Sequence, residues 1–440
     1  MKRRLLPFCL VFAVFAAAPS RAQTNAVPAL AVAVPAGSVT NKLSFTAFLN
    51  EVVSANLNYA AQRFNVPIAQ AMLDAAKVFP NPTLGLNGAR DVTHGDEERM
   101  PTTSGFMFTQ TIELGGKRGA RIMVADLNLR AASATLDDYL RNLRADASAA
   151  FVDGLALAKS LEQKRRSARS LDGLVAANEQ RLRVGDVGEV DVTQSRVEAL
   201  QFQSDLLSAD ADARAALIAL SGFLGRDRAR TVIVPVGKLD LPPRTFDLDQ
   251  LLANALTSRA DLLALRHARD AAKAGIRLAK TARVPDVDVG VGVTHSASSQ
   301  NSIAPSPTFN SVGISLSLPL PLWNQHTAEI NASRYAAEQA GKMLEAAEQK
   351  AEIDVRMAFT RYQLAQERVA RFQSDTLAGA DKVLAAKRFS YQRGQTTLLD
   401  LLAAQRSAND VYLAYYDALS DAAKALIELE RSAQLWDVSF

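Results

Sequence analysis

Asp286-Val287-Asp288-Val289-Gly290-Val291-Gly292-Val293-Thr294 is followed by a polar loop, Ser296 to Thr308, and then by Val312-Gly313-Ile314-Ser315-Leu316-Ser317-Leu318-Pro319-Leu320. Apolar and small polar residues alternate strictly in both runs. A period of two means two strands, each with one apolar face and one face of Gly, Ser and Asp. Such a polar face would leave voids inside a packed sandwich. It suits strands whose apolar face meets lipid and whose small face lines a water-filled lumen. Each run is close to the ~9–11 residues that a tilted membrane strand needs.

Outward from this hairpin, the 440-residue chain is 48% hydrophobic but only 6% aromatic, an Ala- and Leu-rich mixture that favours long helices packed by small residues. Residues 1–22 read as a secretory signal: Lys2, Arg3 and Arg4, an apolar run from Leu5 to Ala18, and Ser20-Arg21-Ala22 as the cleavage site. Removing it takes away four positive charges and no acid, so the formal +4 falls to zero. A neutral mature chain gives no reason to expect nucleic acid. The one cysteine, Cys9, lies in the same segment, so no disulfide, thiol nucleophile or thiolate metal site is expected. No other stretch is long and charge-free enough for a membrane helix, so any membrane crossing must use strands.

In chain order, residues 23–43 read as an extended tail. Ser44 is placed as the N-cap of a helix to about Phe64, and Pro67 opens a second helix to about Val78. A weaker hairpin covers 83–112, with a charged loop containing His94, Asp96, Glu97 and Glu98. After Gly115-Gly116 a helix is expected over 117–183, roughly 100 Å long. Its Leu136, Leu140, Leu143, Ala147, Ala150, Gly154, Leu157 and Leu161 are spaced four and three apart, as in a coiled-coil seam. A turn at Gly185 and Gly188 leads to a returning helix, 189–221. Residues 223–247 form a linker with a strand candidate at Thr231 to Val236. The order then repeats: helix 248–282 with a break near Ser258, hairpin 286–320, long helix 325–392, a turn at Gly394, returning helix 396–431, and a tail at 432–440. Gly185 and Asp191 match Gly394 and Asp400 at an offset of 209; Gly105 and Ile122 match Gly313 and Ile330 at 208.

The fold class is therefore mainly α with a small transmembrane β part, internally duplicated. Four strands cannot close a barrel, and open edges are not tolerated in hydrocarbon. Several copies must share one wall, with their long helices aligned into a tube.

Three stretches carry a family resemblance: Phe108-Thr109-Gln110-Thr111-Ile112-Glu113-Leu114-Gly115-Gly116-Lys117-Arg118, the junction Leu318 to Asn324, and the turn from Tyr391-Gln392-Arg393-Gly394 to Asp400. With them the mature chain resembles the outer membrane factor (TolC-type) efflux channels, and is most similar to the CzcC-like heavy-metal cation efflux branch. The resemblance implies a homotrimer with a twelve-stranded β-barrel in the outer membrane of a Gram-negative bacterium, continuing as an α-helical barrel across the periplasm. It implies no catalysis, no cofactor, a periplasmic adaptor (membrane fusion) protein and a proton-driven RND-type inner-membrane pump as partners. Many relatives carry a lipidated N-terminal Cys; this chain does not, and no lipid anchor is expected.

Several residues stand out as candidate sites. Asp400 aligns with the first of the aspartates that close the periplasmic end in relatives; the next such position is Ala403. Asp191 is its mate in the first repeat, and both are gate candidates. The bland alternative is a carboxylate favoured by the dipole in the first turn of a helix. Arg181, Arg183, Gly185, Arg393 and Gly394 are candidate adaptor-docking tips, although glycine for positive φ and arginine at a helix C-terminus explain them equally. Asp286 and Asp288 are expected on the lumen face, and Trp323 as an anchor at the membrane interface. His94 and His295 fit no rigid metal geometry, and no metal site is assigned. Gly116-Lys117 lacks the spacing of a phosphate loop, because position 111 is Thr. Three functions compete: an exit duct for metal cations, the same duct for drugs, organic solutes or secreted protein, and a poreless periplasmic coiled-coil scaffold, which leaves Val287 to Leu320 unexplained.

Overall fold

The structure, a computed structural model, describes residues 39–90, 102–225, 231–240, 242–298, 305, 307–437 and 440. The signal segment, residues 23–38 of the tail and the loop with His94, Asp96, Glu97 and Glu98 lie outside the described residues. The first repeat contains β1 (Val39–Ser44), α1 (Phe45–Ala55), α2 (Leu57–Arg63), α3 (Asn65–Lys77), β2 (Thr83–Arg90), β3 (Thr102–Ile112), α4 (Lys117–Arg183) and α5 (Glu189–Gly222). After β4 (Thr231–Val236) the second contains α6 (Leu248–Ser258), α7 (Ala260–Thr281), β5 (Val287–Ser296), β6 (Phe309–Ser317), α8 (Thr327–Arg371), α9 (Leu377–Gln392) and α10 (Leu398–Ala433).

The strands β2-β3-β5-β6 form one antiparallel sheet. Leu84, Phe108, Val291 and Ile314 make a row across all four strands; Leu86, Phe106, Val293 and Val312 make the next. This face is bare: Leu86 and Ile314 are each 81% exposed. The opposite face carries Gly85, Met107, Gly292 and Gly313 in one row and Asn87, Gly105, Thr294 and Ser311 in another. The outer edges of β2 and β6 pair with no strand among the described residues.

The main core lies midway along the long helices. There Phe151 and Val152 of α4, Leu217 and Leu220 of α5, and Leu419, Ala423 and Ile427 of α10 meet Phe45, Phe48 and Val52 of α1 and Ile233 of β4. Phe48 packs on Phe151 with centroids 5.5 Å apart and the rings tilted by 34°, both fully buried. Above this level α3 and α7 flank α4 and α8; below it α5 and α10 flank α4 and α9.

The structure departs from the sequence expectation at six places. Val39–Ser44, expected as tail, is a strand paired in parallel with β4. Ser44 precedes α1, but its hydroxyl makes no capping bond. The single helix expected to Phe64 is broken at Asn56, whose backbone is extended; its side chain accepts from Tyr59 N–H at 2.9 Å and donates to Phe223 O at 3.1 Å. The last strand stops at Ser317 rather than Leu320, because Pro319 and Pro321 have no N–H to give to a ladder. The returning helix begins at Leu398, capped by Thr397, and ends at Ala433.

The sixth departure is in the second long helix, expected unbroken over 325–392. It starts at Thr327, after a left-handed His326 (φ 55°), and a π-turn at Phe372–Thr376 divides α8 from α9. A π-turn accommodates one extra residue in a helix. It lies between the positions where the repeat offset is 208 and those where it is 209, and so accounts for the change. Phe372 packs on Tyr415 of α10, and Gln373 donates to Asp240 at 3.0 Å.

Candidate functional site

Three places along the chain concentrate the sequence candidates. At the far end of the helices, both tips turn in the same way. Asp186 N–H donates to Arg181 O at 2.9 Å and Gly185 N–H to Leu182 O at 3.0 Å; in the second repeat Gln395 donates to Ser390 O at 2.9 Å and Gly394 to Tyr391 O at 3.1 Å. These paired bonds satisfy the last carbonyls of α4 and α9 and require a left-handed residue, supplied by Gly185 (φ 78°) and Gly394 (φ 70°). Arg393 lies over the Phe389 ring at 4.1 Å. Val184, Val190 and Leu399 project uncovered from the tips beside Arg183 and Arg393.

Arg181 does more than cap a helix. It pairs with Asp186 at 3.2 Å and its guanidinium lies 5.2 Å from the Tyr391 ring, so it bridges the two tips. The Tyr391 hydroxyl donates to Asn178 Oδ1 at 2.8 Å in a buried contact between α4 and α9. Burial pushes the Tyr391 phenol up, Arg181 and the Asn178 bond pull it down, and the charge of Asp191 pushes it up again. The phenol therefore stays protonated as a donor. Asn178 was not singled out in the sequence, yet a signal exists: continuing the four-three spacing from Leu161 leads through Ala168, Leu171 and Val175 to position 178, a polar residue on an apolar seam.

Asp400 is exposed, accepts from Thr396 Oγ1 at 2.7 Å and lies 3.9 Å from Lys387 Nζ. These contacts, the Thr396 bond foremost, hold its carboxyl below the usual range. Its own N–H donates to Thr397 Oγ1. Asp191 occupies the same first-turn position of α5. The structure thus brings Arg181 to Tyr391, where the charge of Asp191 is also felt, and leaves Asp400 with its own turn and Lys387.

The second place is the strand-to-helix junction after β3. Glu113 receives two bonds from Arg121, at 2.6 and 3.2 Å. Arg121 also donates to the carbonyls of Ala76 and Val78 at the end of α3, and Arg118 to that of Lys77. Arg118 lies 4.4 Å from the Phe79 ring. Lys117 Nζ is 2.7 Å from Asp286, which also accepts from Leu114 N–H at 3.1 Å. Gly115 (φ 70°) sits where a Cβ would come within 2.8 Å of Val284. The Glu113-to-Arg118 stretch is thus a clasp holding α3, β3, α4 and β5 together.

The third place is the small-residue face of the sheet. Asp288 lies on it, opposite Thr111 and Ser317, and accepts from Thr111 Oγ1 at 2.6 Å. Asp286, expected beside it, precedes the strand and belongs to the clasp. Trp323 follows β6 and is 93% exposed. His295 contacts Asn310 Oδ1 at 2.7 Å on the other face. No group of His, Cys, Asp and Glu able to hold a metal occurs among the described residues, and no described helix is long and apolar enough to cross a membrane.

A bare apolar sheet face continuous with long coiled-coil helices is the build of a channel protein. The chain belongs to the outer membrane efflux protein family, whose model matches residues 50–226 and 251–433. It is 24% identical, over 98% of its length and 99% of the other's, to the cobalt-zinc-cadmium resistance protein CzcC of Cupriavidus metallidurans. It is 28% identical over 43% of each chain to the nickel-cobalt-cadmium resistance protein NccC of Alcaligenes xylosoxydans xylosoxydans. Among solved structures it matches the CmeC outer membrane channel of Campylobacter jejuni (TM-score 0.74, 14% identity, 88% of this chain and 85% of that one). It also matches CusC (TM-score 0.71, 18% identity, 90% and 93%). Family and fold are those of channel proteins.

Proposed function

We propose that this chain is the outer-membrane exit duct of a tripartite efflux system that exports heavy-metal cations. Three copies close a twelve-stranded barrel in the outer membrane, and their helices continue it as a tube through the periplasm. The observation that carries the reading is the sheet itself. Its apolar rows lie bare, its opposite face is rich in Gly, Ser and Thr, and both its outer edges are unpaired among the described residues. Lipid suits the first face and water the second; only further strands suit the edges.

In this reading Asp288 faces the lumen and Trp323 anchors the periplasmic rim of the barrel. Arg181, Arg183, Gly185, Arg393 and Gly394, with the uncovered Val184, Val190 and Leu399 beside them, receive a periplasmic adaptor. Asp400 and Asp191 narrow the mouth electrostatically. An RND-type pump in the inner membrane supplies the cargo. The choice of metal ions over organic solutes is supported by the whole-length similarity to a cobalt-zinc-cadmium resistance protein. A strain lacking the gene, challenged with zinc, cobalt, cadmium, copper and silver, is expected to lose resistance to one or more of them and to regain it on complementation. Unchanged resistance to all five, with sensitivity to drugs instead, would move the cargo to organic solutes.

A further inference from the structure

A cavity of about 380 Å³ opens between α4 and α9 near the tips, with Gln405 of α10 also in its wall. Its charged lining is of one sign. Arg169 and Arg181 come from α4 and Arg388 from α9, and no carboxylate of the described residues lines it. Like charges around one hollow repel one another, so such a set is unfavourable unless something answers it.

The acids nearby are engaged elsewhere. Asp172 accepts from Gln203 at 3.3 Å and Glu179 from Arg196 at 2.5 Å, both partners on α5. Asp186 takes one bond from Arg181 at 3.2 Å. Arg388 gives one bond to Ser170 Oγ at 2.8 Å and a long one to Gln405 Oε1 at 3.5 Å. Arg169 gives one to its own helix, at Arg165 O, 3.3 Å away. A guanidinium has five N–H donors, so most of those on Arg169 and Arg388 are left for a ligand.

Asn178 is an independent observation. It lines the same cavity, is fully buried, and its Nδ2 has no acceptor among the described residues. A buried amide N–H without an acceptor is costly. The missing acceptor and the surplus of guanidinium donors call for the same thing, an oxyanion.

We infer that this cavity binds a compact anion with two or more ionised oxygens, phosphate or a small polycarboxylate, clamped between Arg169 and Arg388 with Asn178 as a further donor. The planar fork of arginine suits carboxylate and phosphate alike, and the volume lies within the range of small-molecule sites. Bound there, the anion ties α4 to α9 beside the Tyr391–Asn178 bond. It therefore favours the state in which the two helical hairpins are together. The binding does not depend on the duct reading; only its effect on conductance does.

The test uses the full-length oligomer, purified in detergent and titrated by calorimetry with inorganic phosphate and, separately, with citrate, at an ionic strength held constant with chloride. Saturable binding of at least one of them, one per chain, is expected, and the probe that binds identifies the source. Both arginines are exposed, so Arg169→Gln and Arg388→Gln keep the fold, which unheated gels check. Each is expected to weaken binding about tenfold or more through loss of a charge-assisted bond. Lys382→Gln makes the same charge change on α9 outside the cavity and is expected to leave binding unchanged. Asn178→Asp keeps the acceptor for Tyr391 but brings an anion of its own, and is expected to abolish binding of the added one. Binding of neither probe to the intact oligomer, equal weakening by all three Gln variants, or binding that survives Asn178→Asp overturns the inference. In lipid bilayers the bound probe is expected to lower the basal conductance of the parent and not that of Arg388→Gln. Binding to a protein that carries no current at all would overturn the duct reading and leave the anion site standing.

Discussion

The hydroxyl of Tyr391 donates to Asn178 Oδ1 at 2.8 Å, joining the two helical hairpins one turn before their tips. Leu384 and Leu401 share a small apolar cluster with Tyr391 and with Leu171 of α4. Asn178 is fully buried, and its Nδ2 finds no acceptor among the described residues, so the Tyr391 bond is the compensation for its side chain. Replacing Tyr391 by Phe keeps the ring under Arg181 and removes that bond. The cost is about 1–3 kcal/mol, because a buried polar group is left unpaired. We expect the helical tips to loosen, read as higher basal conductance in lipid bilayers, with the oligomer intact.

Asp400 is expected to act on cations without being a pH switch. Its folded-state pKa lies below the ordinary value of about 3.9. A depressed carboxyl stabilises the fold at pH above the unfolded pKa, and that contribution disappears as pH falls through the lower folded value. Between pH 5 and 8 it remains charged. Asp400→Ala should weaken block by divalent cations or raise basal opening to the same degree across that range. A conductance trace identical to the parent would remove Asp400 from the gate.

The clasp between the sheet and the helices should be sensitive in a specific order. Glu113 is mostly buried while Arg121 is about one-third exposed, and their two bonds are charge-assisted. Arg121→Ala leaves a buried carboxylate and the Ala76 and Val78 carbonyls without their donor, costing roughly 1.5–3 kcal/mol. Arg118→Ala removes a single carbonyl bond and a ring contact at a more open site. The temperature at which the oligomer falls apart on gels should drop more for Arg121→Ala than for Arg118→Ala.

The two faces of the sheet predict opposite tolerances. Ile314→Lys places a charge in hydrocarbon, at about 2–4 kcal/mol near the bilayer centre, and should cut the amount of protein recovered in the outer membrane. Ser311→Lys, on the other face of the same strand, should be recovered normally and should shift ion selectivity toward anions.

The π-turn also makes a prediction. Because it accommodates one residue beyond the count in α4, deleting Ser374 should give a regular helix with α9 still in phase and Tyr391 still against Asn178. Deleting Ala385, below the turn, rotates the remainder of α9 by about 100° and should abolish the contact. Oligomer stability near the parent's for the first deletion, and lost for the second, is the expected result.

The strands were legible because one face of each is apolar and the other small and polar, which imprints a period of two on Val287 to Ser317. The long helices were legible because α4 contains no proline and its seam repeats every seven residues. β1 was not: Val39–Ser44 has no alternation to read, and its partner Thr231–Val236 is reached only through the folded chain. Nor does the π-turn at Phe372–Thr376 carry a compositional mark; only the slip from 208 to 209 betrayed it. At the sites, the tips were visible from Gly185 and Gly394, while the pairing of Lys117 with Asp286 depends on two strands lying side by side and has no sequence trace.

The alternation in β5 and β6 also bears on how such a chain reaches its membrane. Its apolar side chains are interleaved with Gly, Ser and Thr, so the extended polypeptide offers export machinery no greasy run at which to halt. Only when Leu84, Phe108, Val291 and Ile314 come into line does a surface with affinity for lipid exist. Hydrophobicity is here a product of folding, acquired on arrival rather than carried in transit.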